Sequence, residues 1–208
     1  MFKSKPLVTA VAIAIPLSFI ASGLSAAVLE EVTVTAQKRE ESIQDVGIAI
    51  SAFTGDQRSQ LGWTNAQQVT AMAPGVQTIQ PNGEANYSVA VRGVVANDFA
   101  TNVESPVALY IDEVYISQMS GAGFMLYDME RVEILRGPQG TLFGRNATGG
   151  LVHFITKKPT KELDGYVMGT VGDYDKYGVE GAIGGGNDLV SARFAGVINN
   201  ADGYIDNF

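Results

Sequence analysis

The chain has no cysteine and a single histidine among its 208 residues. Without cysteine there is no disulfide framework, no thiolate metal site and no thiol nucleophile. One histidine, His153, is too few for a histidine-based metal centre. Basic residues are also scarce: 14 Lys and Arg stand against 22 Asp and Glu, a net charge of -8. Phosphate neutralisation needs clustered cations, so the balance argues against a nucleic-acid partner. Long apolar runs are missing as well. The longest, Leu7–Ile20, is interrupted by Pro16 and Ser18 and falls short of the roughly 20 residues a spanning helix needs. No nucleophile, base and metal constellation for an enzyme can be assembled, and no cofactor or metal site is expected.

Glycine, by contrast, is abundant, with 24 residues against a usual share of about 7%. It is densest in Arg131–Pro159, RVEILRGPQGTLFGRNATGGLVHFITKKP. An apolar run (Val132, Ile134, Leu135) enters a loop carrying Gly137, Gly140, Gly144, Gly149 and Gly150, and a β-rich run, Leu151–Thr156, leaves it. Such glycines permit positive φ and close approach of chain segments, so the stretch reads as strand, compact turn, strand. Pro138 can open a short helical turn through Phe143 that Gly144 closes. Arg131, Glu133, Arg136 and Arg145 surround the loop and call for partners elsewhere. A phosphate-binding loop needs Lys then Ser or Thr at the helix start. Leu151 and Val152 follow the last glycines here, so that chemistry is missing.

Arg131–Thr156 resembles the signature of the plug domain of TonB-dependent outer-membrane receptors, RVEV-x-RGP-x-x-x-L-[YF]-G-x-x-A-x-GG-x-I-N-I-x-T. Leu151 stands where a smaller residue is usual and His153 where Asn is usual; neither change removes a glycine or a charge of the pattern. The resemblance implies a non-enzymatic transporter whose plug obstructs a barrel until TonB, energised by its inner-membrane complex, pulls on it. It also implies a latch of plug charges against the barrel wall, here Arg92, Arg131, Glu133, Arg136 and Arg145.

Residues 1–27 read as a secretory signal peptide: Lys3 and Lys5, the apolar run, then Ser25 and Ala27 in a small-x-small pattern. Cleavage is favoured over an uncleaved anchor. Residues 28–46 follow as a β-branched segment, Leu29–Ala36, and a charged tract, Gln37–Asp45, expected to be flexible. An isolated strand on a tether suits strand addition to a partner sheet. By resemblance Glu30, Glu31, Val32, Thr33, Val34, Thr35 and Ala36 form the TonB box.

Residues 47–160 are expected to form the plug. Ile48–Phe53 is a strand, and capping boxes at Thr54 with Gln57 and at Thr64 with Gln67 start two helices. These end near Leu61 at Gly62 and near Met72, with Ala66, Val69, Ala73 and Met72 as a buried stripe and Trp63 as packing. Strands follow at Tyr87–Val94 and Val107–Ile116. Arg92-Gly93 resembles the family's RG, and Tyr110-Ile111-Asp112 resembles its Y-[IV]-D-G-V, with Glu113 replacing Gly. Loops 95–105 and 117–126 are where ligand contacts tend to sit, making Asn97, Asp98, Phe99, Asn102, Met119 and Phe124 ligand-facing candidates.

In residues 161–208, Tyr166–Val171, Tyr177–Ile183 and Val190–Ile198 alternate apolar and polar positions, as transmembrane β-strands with lipid outside do. A half-exposed soluble sheet gives the same alternation. Pairing around Asn187 and Asp188 puts Glu180 and Arg193 on one inner face as near-diagonal neighbours. Three strands cannot close a barrel in lipid, so the chain is expected to be a truncation or a fragment and not to transport alone.

The expected fold is an α+β plug domain, a small mixed sheet with short helices, followed by the first antiparallel strands of a transmembrane β-barrel. The implied setting is the outer membrane, and the implied role is energised uptake of a scarce nutrient. Ferric siderophore is the first cargo the resemblance suggests. Asp98 and Glu104 in the apical loops, without Arg or Lys, suit an anionic iron chelate poorly, so carbohydrate, cobalamin and aromatic breakdown products stay open. The alternative is a truncated periplasmic plug module that only binds TonB.

Overall fold

A computed structural model describes residues 32–80, 86–100 and 102–202. The expected signal peptide and Glu30 and Glu31 of the expected TonB box lie outside the described residues. In chain order the elements are β1 (Thr33–Val34), β2 (Glu41–Ser42), β3 (Ala49–Thr54), α1 (Gly55–Gln60), α2 (Ala66–Thr70), β4 (Val76–Ile79) and β5 (Ser88–Val91). They continue with β6 (Val107–Ile111), β7 (Val114–Tyr115), β8 (Met129–Arg136), α3 (Gly140–Phe143), β9 (Gly150–Thr156), β10 (Asp164–Gly172), β11 (Lys176–Gly186) and β12 (Ser191–Asn200).

The centre is a five-stranded mixed sheet in the order β3-β8-β9-β6-β7. Its one parallel pair joins β6 to β9, with Val107 opposite Gly150. β8 and β9 are buried at nearly every position because both sides of the sheet are covered, although β8 carries Glu130, Arg131, Glu133 and Arg136. Val132, Ile134, Val152 and Phe154 face one core with α2, β4 and β5; Leu135 and Leu151 face a second with Val34, Ala36, Ala108, Phe143 and Ala147. Strand alternation therefore sends Arg131, Glu133 and His153 to the second side.

α1 starts as expected: Thr54 and Gln57 form a reciprocal capping box, and Gly62 beyond its end has φ 67°. α2 starts one residue later than expected. Asn65, not Thr64, is the N-cap and Gln68, not Gln67, is its partner; the Gln68 side chain also accepts from the Thr64 N–H at 2.7 Å. Asn caps at least as well as Thr, and starting there turns Ala66 and Val69 inward. Met72 is exposed rather than part of the stripe. Trp63 meets Phe53 edge to face at 5.5 Å, so it is packing. β4, paired antiparallel with β5, had no counterpart in the sequence reading.

The single strand expected over Val107–Ile116 is a hairpin. Asp112 and Glu113 have φ 45° and 70°, the conformation a two-residue connection needs to match strand twist. Glu113 thus adopts left-handed backbone where glycine is usual, at a cost of about 1 kcal/mol. Asp112 offsets it by accepting from the Thr156 N–H at 2.8 Å and hydroxyl at 2.7 Å.

β10, β11 and β12 form a separate antiparallel sheet. Val167, Val179, Ile183, Phe194 and Ile198 are exposed on one face, while Glu180 and Ala182 are buried on the other. Glu180 and Arg193 share the inner face but are not near-diagonal neighbours. Glu180 lies opposite Val197 and Arg193 opposite Gly184, because the connection is the longer loop Asn187–Val190. Asn187 organises that loop by accepting from the Leu189 and Val190 N–H groups.

Candidate functional site

Val32–Ile43 is a small hairpin. Thr33 and Val34 pair with Ser42 and Glu41, and the Ile43 N–H donates to the Val32 carbonyl. The strand was expected to be loose on a flexible tether; instead it is seated. Val34 and Ala36 are buried in the second core because the sheet offers them an apolar surface that the segment lacks by itself. Thr35, between them, donates its N–H to Glu133 Oε1 at 2.7 Å and its hydroxyl to the same oxygen at 3.2 Å. Arg131 Nε donates to that oxygen at 2.8 Å, and the guanidinium also pairs with Glu130. Glu133 is 0% exposed, and its Oε2 has no partner.

His153 lies directly across the sheet from Glu133. Its Nε2 accepts from the Glu113 N–H at 3.4 Å, while Nδ1 has no partner. Burial pushes the imidazole below its ordinary value of 6.5, opposed by Glu133, Glu113 and Asp112. The unfolded chain therefore binds a proton at higher pH than the folded one. This contribution to stability is complete above pH 6.5 and is lost as pH falls toward the folded value. His153→Asn should flatten the drop in urea midpoint between pH 7.5 and 5.5, and identical drops in both proteins would refute it.

The five turn glycines do different work. Gly137 and Gly144 have φ 112° and 81°; Gly144 closes α3, as expected. Gly149 and Gly150 are close-approach positions: a Cβ there would lie 2.8 Å from Val94 Cγ1 and 2.6 Å from the Leu135 carbonyl oxygen, respectively. Gly140 faces open space.

None of the five latch candidates meets β10–β12 among the described residues. Arg131 and Glu133 turn toward the seated hairpin. Arg136 donates to the Pro74 and Ile50 carbonyls, and Arg145 pairs with Glu104 at the surface at 2.8 Å. Arg92 is exposed with φ 52°. The charges that do bridge to the strands are Arg58 and Asp128, which sequence reasoning missed.

Arg58 on α1 donates from Nη2 to Glu180 Oε1 and Oε2 at 2.8 and 2.9 Å, and from Nη1 to the Leu126 carbonyl at 2.9 Å. Glu180 also accepts from Tyr166 Oη at 2.6 Å and the Asp128 N–H at 3.0 Å. Beside it Arg193 forks onto Asp128, Nε and Nη2 each at 2.6 Å, and reaches Asp164 at 2.9 Å. No sequence signal links residues so far apart in the chain.

Of the loop candidates, Asn97, Asp98 and Asn102 are exposed and Phe99 is half-buried. Met119 and Phe124 are less exposed than Asn97, Asp98 and Asn102. Met119 is buried, and Phe124 is half-buried and packs edge to face on Phe154 at 4.8 Å, where with Ala122 and Leu126 it roofs the first core. Among the described residues no group of His, Asp or Glu is placed to hold a metal ion.

This architecture has relatives. The model of the TonB-dependent Receptor Plug Domain matches residues 42–151, just over half of the chain. The pesticin receptor of Yersinia enterocolitica is 34% identical over 148 residues, covering 69% of this chain and 21% of that protein. The crystal structure of the ferric yersiniabactin uptake receptor FyuA from Yersinia pestis superposes with a TM-score of 0.63 at 27% identity, covering 72% of this chain and 24% of that one. The receptor FpvA from Pseudomonas aeruginosa PAO1, bound to pyoverdine, gives a TM-score of 0.69 at 20% identity over 84% of this chain and 25% of that one, a likeness of fold. The chain thus spans about a fifth to a quarter of the relatives it matches. A mixed sheet closed by the glycine turn, charge-bridged to antiparallel strands and matched over its core, places the chain in the TonB-dependent receptor plug domain family.

Proposed function

We propose that the chain is the N-terminal portion of an outer-membrane receptor that imports a ferric siderophore. Residues 1–27 direct export, the plug gates the pore, and residues 30–36 are the strand that TonB grips. The observation that carries the coupling role is the Val32–Ile43 hairpin, whose strand-pairing and turn bonds are internal and whose seat on the plug is separable from the sheet ladder. The cargo rests on the relatives, which include receptors for ferric yersiniabactin and pyoverdine. The exposed apolar face of β10–β12 meets lipid.

The test is uptake by cells whose own siderophore receptors are deleted and which express the receptor containing this chain. Labelled ferric yersiniabactin, ferric pyoverdine and cobalamin are supplied separately. Accumulation of an iron chelate, abolished by deleting residues 30–36, is the expected result. Cobalamin uptake alone would replace the cargo. Uptake indifferent to the deletion would refute the coupling role.

A further inference from the structure

Val32–Ile43 behaves as a detachable unit. Its ladder pairs only β1 with β2, and its turn bond, from the Lys38 N–H to the Thr35 carbonyl, is also internal. It can leave without breaking any rung of the central sheet. Two things hold it to that sheet: the apolar contacts of Val34 and Ala36, and the bonds of Thr35 to Glu133 and Arg131. The remaining charge contacts are both made by Lys38, with Glu113 at 3.7 Å and over the Phe143 ring at 5.4 Å; Lys38 is half-exposed, so both are screened by solvent. Among the described residues, Thr35, itself half-buried, is the hairpin's only hydrogen-bonded tie to buried side chains of the plug body.

We propose that Glu133 is a positioning residue that sets how often the 33–36 strand is seated on the plug. The inference rests on the reading of residues 30–36 as the TonB-gripped strand only for its consequence, since seating is measurable without TonB. Glu133 stands on β8, hydrogen-bonded on both sides to β3 and β9, so its carboxylate is a fixed anchor. Its Oε1 gathers the Thr35 N–H, the Thr35 hydroxyl and Arg131 Nε. Without that acceptor the Thr35 N–H, on a half-buried residue, faces the buried Glu133 position unpaired whenever the strand is seated, and an unpaired donor shielded from water disfavours the state that contains it. The unseated state does not suffer, because water then reaches both partners. Glu133 therefore acts on the balance between the two states more than on the sheet beneath.

Hydrogen exchange of the full chain in detergent micelles tests this, read separately over residues 32–43 and over β8 and β9. Glu133→Ala should speed exchange of the Thr35 amide about tenfold or more while β9 stays protected. Glu133→Gln, which keeps an acceptor oxygen in place, should restore most of the protection. If Glu133 served only to neutralise Arg131, Gln would rescue no better than Ala, and that outcome would overturn the assignment. So would unchanged exchange at Thr35 in the Ala variant. Should Glu133→Ala lose protection in β9, Thr35→Pro decides: it removes the donor from the hairpin side, leaves the sheet untouched, and must loosen Val34 and Ala36 alike for the proposal to survive. TonB capture is a separate arm. Faster exchange without increased capture would reject TonB as the strand's partner and leave the role of Glu133 intact.

Discussion

Arg58→Ala should destabilise the protein by about 3–5 kcal/mol, the usual consequence of removing one member of a buried ion pair. Both side chains of the Arg58–Glu180 pair are 7% exposed, so water does little to replace what is lost. The variant leaves Glu180 with the Tyr166 hydroxyl and the Asp128 N–H but no cation. It also leaves the Leu126 carbonyl without its guanidinium donor. The penalty belongs to the orphaned charge rather than to the pair. Replacing both members, Arg58→Met with Glu180→Leu, should therefore cost far less than the sum of the two single changes. Urea unfolding followed by tryptophan fluorescence reads this locally, because Trp63 is the only tryptophan and its carbonyl accepts from Arg58. A loss below about 1 kcal/mol for Arg58→Ala would show the pair to be solvated like a surface bridge.

Gly150→Ala and Gly140→Ala should move stability in opposite directions although both alter the same turn. A methyl at Gly150 would sit 2.6 Å from the Leu135 carbonyl oxygen and 3.2 Å from Val91 Cγ2. The oxygen belongs to the neighbouring strand, which cannot retreat without disturbing the β8–β9 ladder. Overpacking of this kind costs about 1–3 kcal/mol. At Gly140, inside α3, a methyl meets nothing within 4 Å. Ala there restricts the unfolded chain without strain in the folded one, a gain of about 0.4–1 kcal/mol. Urea midpoints of the two variants check both signs, and a stabilising Gly150→Ala would contradict the close approach of β8 and β9.

The contrast shows what pattern can and cannot reveal. The glycine cluster was legible as a turn, but spacing alone does not tell Gly144, which needs positive φ, from Gly150, which needs space, or from Gly140, which needs neither. The capping box at Thr54 was legible because its partners lie within one helical turn. The box at Asn65 was displaced by one residue because Thr64 and Asn65 both cap well, and the inward packing of Ala66 and Val69 chose between them. Glu113 in place of Gly was legible as a departure from the family pattern; the hairpin itself required the register of β7 against β6.

Charges were the least legible. The loop pattern singles out Arg131 and Glu133, yet their partner is Thr35, far away in the chain and apparent only once β8 is central and the hairpin is seated over it. Arg58 and Asp128 carry no sequence signal, since one arginine on a short helix and one aspartate before a strand are ordinary. Alternation puts Glu180 and Arg193 on the correct face, but the expected near-diagonal spacing fails and each is paired with the plug instead.

By itself the sequence determined most of the elements and their faces: a mixed sheet around a glycine turn, a β-branched segment near the start, and strands with one exposed apolar side. These follow from local sterics and from the periodicity of side chains along a strand, which act over a few residues. Only the tertiary structure decided the register of β11 on β12, the seating of Val34 and Ala36, and the partner of each buried charge. A buried charge takes whichever donors or acceptors the packed chain brings within about 3 Å, and the packing of the whole chain sets that distance.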